Sequence, residues 1–195
     1  MSDVLPNSKP RMSYSELKPR VEAAGLTVAA HPLFVAGVRG YYSNSMGGPG
    51  NDSGIYDDAI FLVSPDHFSS YNANTNPSSE RKGHGFGAAK GRARLQPGVW
   101  NVYQFDIHGG SVPHFALCQR GGAVRVMRDG NPNYPDQGRF GINIHRGGRL
   151  STSSTGCQTI HPSQWDGFIN AAVDQAKRFN GAKWRTTNVP YVLLV

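Results

Sequence analysis

A chain of 195 residues with 38% hydrophobic content is long enough to bury one sizeable core, and its 24 glycines and 13 prolines point to strands and turns over a helical bundle. Twenty Lys and Arg against thirteen Asp and Glu leave a net charge of +7, which draws the surface toward anionic partners. The basic residues form no long run and no interleaved aromatic platform, which speaks against nucleic acid.

No apolar stretch approaches the length of a membrane span. The N-terminus has no apolar segment after a basic start, so the chain reads as made in the cytoplasm without a signal peptide. Residues 1–30 read as a tail and a docking helix, and 31–195 as one domain. Residues 1–12 read as a disordered lead-in. Ser13-Tyr14-Ser15-Glu16 is a capping-box pattern, so a short helix is expected to about Ala24, stopped by Gly25. Tyr14, Leu17, Val21 and Ala24 share one face of it.

A strand is expected from Leu33 to Tyr42, then a turn-rich loop over 45–54. Asn51, Asp52, Asp57 and Asp58 do not have the spacing of a calcium loop and read as turn formers. Ala59–Val63 is a buried strand. The polar, glycine-rich stretch 71–94, with Asn72, Asn74 and Asn76, reads as a long surface loop carrying His84 as an exposed residue. Val99–Phe105 alternates as a strand after the Pro97-Gly98 turn. Asp106–Gly110 opens a loop before a strand at His114–Leu117, and Ala123–Arg128 is another strand. Residues 131–139 read as a loop. Trp165, Phe168, Ile169, Ala172, Val173, Ala176 and Phe179 recur at helical spacing between Pro162 and Gly181, marking an amphipathic helix packed on a sheet. Val189–Val195 closes the chain as a strand. The expected class is mainly β with flanking helices (α+β), an antiparallel β-sandwich or barrel without a βαβ rhythm.

The chemistry concentrates in residues 140–160. Phe140, Ile142 and Ile144 alternate as a half-buried strand that delivers His145 to a loop rich in glycine and serine, and the loop ends on Gly156-Cys157. A thiol, an imidazole and a flexible backbone able to aim amides at an oxyanion are what thiol-based acyl transfer needs. Taken alone, Cys157 and His145 are equally a buried structural cysteine and a loop histidine satisfied by backbone. Cys118 reads as a structural strand residue. His108, His114 and Cys118 match no standard zinc spacing, so neither a metal nor a cofactor is expected.

His145-Arg146-Gly147 followed by Ser154-Thr155-Gly156-Cys157 resembles the active-site signature of the L,D-transpeptidase (YkuD-type) family. The run from Gly98 through Trp165 is also similar to phage-encoded and secreted-effector relatives, and together these cover about the C-terminal half of the chain. The resemblance implies Cys157 as nucleophile and His145 as general base, acting on peptidoglycan stem peptides, with an anionic bacterial envelope accounting for the basic surface. Gly156, Arg146, Gly147 and Asn143 are the expected oxyanion or orienting residues. Ser154, Thr155, Arg149, His108 and His114 are expected to bind substrate. Thr155 stands where the family has histidine and Thr159 where it often has arginine, a place that Arg146 or Arg149 could take. The shortened His-to-Cys spacing points to hydrolysis or exchange over wall-building cross-linking. Such a protein would reach the periplasm or cell wall through a holin-type hole or a secretion system. The competing reading is a non-enzymatic module that binds the wall or another polyanion.

Overall fold

The computed structural model describes residues 4–48, 52–84, 89–110 and 112–195. Among these, eleven strands and two α-helices follow in the order α1 (Tyr14–Ala23), β1 (Phe34–Val38), β2 (Asp58–Ser64), β3 (His67–Asn74), β4 (Ala93–Leu95), β5 (Gly98–His108), β6 (His114–Gln119), β7 (Val124–Arg128), β8 (Tyr134–Gly138), β9 (Ile144–Arg146), β10 (Gln158–Ile160), α2 (Pro162–Asn180) and β11 (Val189–Leu194). Eight strands close a barrel in the order β1-β11-β5-β6-β9-β10-β3-β2, and β4-β7-β8 form a separate small sheet. The β1–β11 and β9–β10 pairs are parallel and the other pairs antiparallel. The fold is therefore mainly β with flanking helices, and no described helix is long and apolar enough to cross a membrane.

Strands β1, β2 and β11 are apolar on both faces for a reason visible in the packing. Val35, Ile60, Leu62, Tyr191 and Leu193 join the main core. The alternate residues Phe34, Ala36, Val38, Ala59, Phe61, Val63, Val192 and Leu194 form a second core covered by Leu17 and Val21 of α1 and by Leu26. The capping box at the start of α1 forms as expected, with Ser13 Oγ accepting from the Glu16 amide and the Glu16 carboxylate accepting from the Ser13 amide. Residues 4–12 are not the free lead-in that their composition suggested. The Tyr56 amide donates to the Val4 carbonyl, and Tyr42 Oη, Asn72 Nδ2 and Ser70 Oγ donate to the carbonyls of Ser8 and Pro10.

Four other expectations are corrected. Strand β1 ends at Val38 because Gly40, at φ 68°, turns the chain, so Tyr41 and Tyr42 lie in a turn. The stretch 71–94 is a surface loop only in part: β3 runs to Asn74, β4 begins at Ala93, and Asn72, Asn74 and Asn76 are buried, while residues 79–82 and His84 are exposed as expected. Burial of these amides is tolerated where they have partners, as Asn72 does with Ser8, Tyr42 and Gln164. Asp106–His108 continue β5 to pair with β6, and the expected loop 131–139 carries β8. The parts of the expected loops at 49–51 and 85–88 lie outside the described residues.

Helix α2 follows its sequence pattern. Pro162 occupies its first position, Gly181 at φ 53° ends it, and Trp165, Phe168, Ile169, Ala172 and Ala176 are buried in the main core.

Candidate active site

Parallel pairing of β9 with β10 sets Gln158 opposite Ile144 and Thr159 opposite His145. Cys157, one residue before β10, and Asn143, one residue before β9, stand side by side, and no hydrogen bond among the described residues joins Cys157 to His145. The Asn143 amide reaches Cys157 Sγ at 3.4 Å, and the Cys157 thiol donates to the Gly141 carbonyl at 3.3 Å. Strands β5 and β6 supply two more rings, since His108 pairs with His114 across the hairpin. His108 stacks on His145 with centroids 4.0 Å apart, and His114 lies 5.3 and 5.7 Å from the two.

Hydrogen bonds assign the proton positions of these rings. His145 Nδ1 faces the Arg146 carbonyl at 2.8 Å, so Nδ1 carries the hydrogen and Nε2 is left as the basic nitrogen. Asn143 Oδ1 accepts from the Gln119 amide at 2.9 Å, which turns Nδ2 toward His108 Nδ1, also at 2.9 Å; His108 is therefore protonated on Nε2. His114 donates from Nδ1 to the Val112 carbonyl and accepts at Nε2 from the Arg146 amide. Both its nitrogens are engaged, and no group of three or more His, Cys, Asp or Glu among the described residues is arranged to hold a metal ion.

Burial, aided by the neighbouring histidines, pushes His145 down to about 3, and burial also lowers His108. Burial raises the Cys157 thiol to about 11, against the smaller opposing effect of the Asn143 amide. The resting pair is thus thiol and neutral imidazole, because a buried site penalises both charged forms. A preformed thiolate–imidazolium pair does not fit these shifts.

The loop between His145 and Cys157 is braced from outside. Tyr56 Oη donates to the Gly148 carbonyl at 2.6 Å, and a Cβ on Gly147 would collide with the same hydroxyl. Ser78 bonds Thr152 Oγ1 and accepts from the Ser154 amide. Ser154, expected against substrate, is buried instead; its Oγ donates to the Cys157 carbonyl at 2.7 Å and accepts from the Gly156 amide at 3.0 Å, closing the turn that carries the thiol. That bond commits the Gly156 amide, so it is not an oxyanion donor. Gly156 has a spatial role: a Cβ there would meet the Ala93 carbonyl at 2.6 Å and Ile142 Cδ1 at 2.9 Å, so the close approach is to β4 and not to substrate.

A cleft of about 270 Å³ opens beside the rings, lined by His108, His114, His145, Arg146, Gly147 and Ser153 among others. Ser153, a non-glycine residue at φ 54°, holds a left-handed conformation at its rim. Cys157 is 8% exposed and is not part of the cleft wall. Asn143 was expected to orient His145, but it orients His108, and the Arg146 carbonyl holds His145. Thr155 and Arg149 are exposed and do not line the cleft. Cys118 and Cys157 are both free, and Cys118 is fully buried.

Sequence reasoning missed Gln119. Its buried Oε1 accepts from the amides of Phe140 and Ile142, and its Nε2 donates to the carbonyls of Gly122 and Gly138. Residues 139–143 belong to no strand, so this one carboxamide replaces the ladder that would hold them, and these residues include both partners of the Cys157 sulfur. A single glutamine at a strand end carries no signal that could have revealed it.

Compared with known proteins, the chain matches no family model, no curated protein and no solved structure.

Proposed function

We propose that the protein is a cysteine-dependent enzyme that hydrolyses or exchanges L,D peptide bonds in the stem peptides of peptidoglycan, with an L,D-transpeptidase-like fold. The observation that carries the reading is the His145 tautomer: Nδ1–H on the Arg146 carbonyl leaves Nε2 as a base on β9, the strand paired with the β10 that Cys157 leads into. Attack begins as the thiol turns from the Gly141 carbonyl and passes its proton to His145 Nε2. Sulfur bonds to the substrate carbonyl carbon, and the amide of Cys157 itself is the donor for the resulting oxyanion, since its neighbours on Gly156 and Gln158 are committed. The proton moves from His145 to the leaving amine as the C–N bond breaks, giving a thioester. Water or an acceptor amine, deprotonated by the same nitrogen, then cleaves the thioester and restores the thiol.

The activity belongs outside the cytoplasm, after release through a holin-type hole or delivery by a secretion system. A second reading, a wall-binding module with a structural cysteine, draws on the thiol's bond to the Gly141 carbonyl and its place outside the cleft wall. Digestion of purified sacculi separates the two. Mass spectrometry of the muropeptides is expected to find lost terminal D-residues or opened L,D cross-links with the native protein and not with Cys157→Ala. Unchanged muropeptides with both proteins would support the binding module.

A further inference from the structure

Eight of the twenty Lys and Arg, but three of the thirteen Asp and Glu, fall in residues 80–94 and 124–139. The two stretches are far apart in the chain, and pairing of β4 with β7 joins them, with Arg94 opposite Met127 and Leu95 opposite Val126. Ala93, Leu95, Val124 and Val126 belong to the main core. Side chains alternate, so Arg94, Arg125 and Met127 occupy the opposite, outer face, continued on β8 by Pro135 and Gln137 through the β7–β8 register. Asp136 is shared by Lys90 and Arg128. Arg92, Arg94, Arg125 and Arg139 form no ion pair among the described residues, and the Nε donors of Arg92 and Arg94 are buried without a partner.

This sheet abuts the turn that carries the thiol. Gly156 packs on the Ala93 carbonyl, the Ala93 amide donates to Thr155, and Arg92 Nη1 donates to the Ser154 carbonyl at 3.2 Å. The edge of the small sheet and the thiol turn are thus held together through β4.

We propose that the outer face of β4-β7-β8 is a docking surface for the carboxylates of peptidoglycan stem peptides. The proposal rests on the reading of Cys157 as the nucleophile of a peptidoglycan enzyme. Guanidinium groups without acidic partners suit carboxylates, which they bind with paired hydrogen bonds. The outer-face positions of β7 and β8 beside Arg125 are Met127, Pro135 and Gln137, and the nearby Trp100, over which Arg125 lies, is buried and offers no open ring for base stacking.

Co-sedimentation with sacculi at low ionic strength tests this in the Cys157→Ala protein, where binding is read without turnover. Arg125→Glu with Arg139→Glu, both at exposed positions, is expected to lower the bound fraction about five- to tenfold. Arg11→Glu with Lys183→Glu, an equal change of charge away from this sheet, is expected to leave it unchanged. Sacculi whose carboxylates have been amidated are expected to lose the native protein. Undiminished binding by the first pair, equal losses from both pairs, retention on amidated sacculi, or tighter retention on duplex DNA than on sacculi would each overturn the proposal. This binding can fail while sacculus digestion succeeds, and the reverse, so the docking surface and the enzyme reading are judged separately.

Discussion

His108 lies face to face on His145, with ring centroids 4.0 Å apart and planes 9° from parallel. Two imidazoles so placed resist carrying charge together. Asn143 adds a second restraint, because its Nδ2 donates to His108 Nδ1 while its Oδ1 is held by the Gln119 amide. In an NMR titration, native His145 is expected to stay neutral until the pH approaches about 3. His108→Ala removes one repulsive neighbour and part of the cover, and should move the His145 midpoint up toward the ordinary value of about 6.5. A native midpoint already at that value would show that the stack exerts no such control.

Folding stability should follow the same groups. His108 and His145 titrate lower in the folded chain than in the unfolded one, so the unfolded state binds more protons as the pH falls. The contribution of His145 is complete above about 6.5 and is lost on acidification toward about 3, by at most ~1.4 kcal/mol per pH unit, and that of His108 is lost in the same direction. Asp57 and Asp58 act in the opposite sense. Burial raises both, and the neighbouring Asp58 carboxyl raises Asp57 further, so their stabilising effect is lost as the pH rises through their folded values. Asp57→Asn should therefore gain stability relative to the native chain at alkaline pH and lose that advantage in acid, as denaturant titrations across pH will read.

The resting thiol should be slow to alkylate at neutral pH. Labelling of Cys157, mapped by mass spectrometry to separate it from Cys118, is expected to rise only as the pH approaches about 11. An inflection well below this range would indicate a preformed thiolate and contradict the proton-transfer scheme.

Gln119→Leu strands two backbone amides and two carbonyls in a buried setting. It should cost about 3 kcal/mol in denaturant unfolding, the order expected for unpaired buried backbone groups. Gly156→Ala forces a methyl against the Ala93 carbonyl and should cost about 1–3 kcal/mol. A neutral outcome for Gly156→Ala would mean that the thiol turn and β4 separate freely.

Much of this was readable before the fold. The capping box marked α1 and the helical spacing from Trp165 to Phe179 marked α2, but the strand expected over Phe140–Ile144 is only Ile144–Arg146, with His145 inside it and residues 139–143 in no strand. Strands β3 and β8 were hidden because Asn72, Asn74, Pro135 and Asp136 are poor strand formers that pairing and burial override. Gln119, Tyr56 and Ser78 were invisible as site residues, since they reach residues 140–154 from 21 or more positions away in the chain through bonds that only the fold creates. The basic face was equally hidden: Arg94 and Arg125 look scattered until β4 pairs with β7.

The most direct test is intact and peptide-level mass spectrometry of the protein quenched during reaction with a synthetic stem tetrapeptide. The expected result is a thioester on Cys157, carrying the peptide less its terminal D-residue, in the native protein and its absence in His145→Ala and Cys157→Ala. A shortened tetrapeptide with the adduct on another residue, or no adduct and an intact peptide, would contradict Cys157 as the nucleophile and His145 as its base.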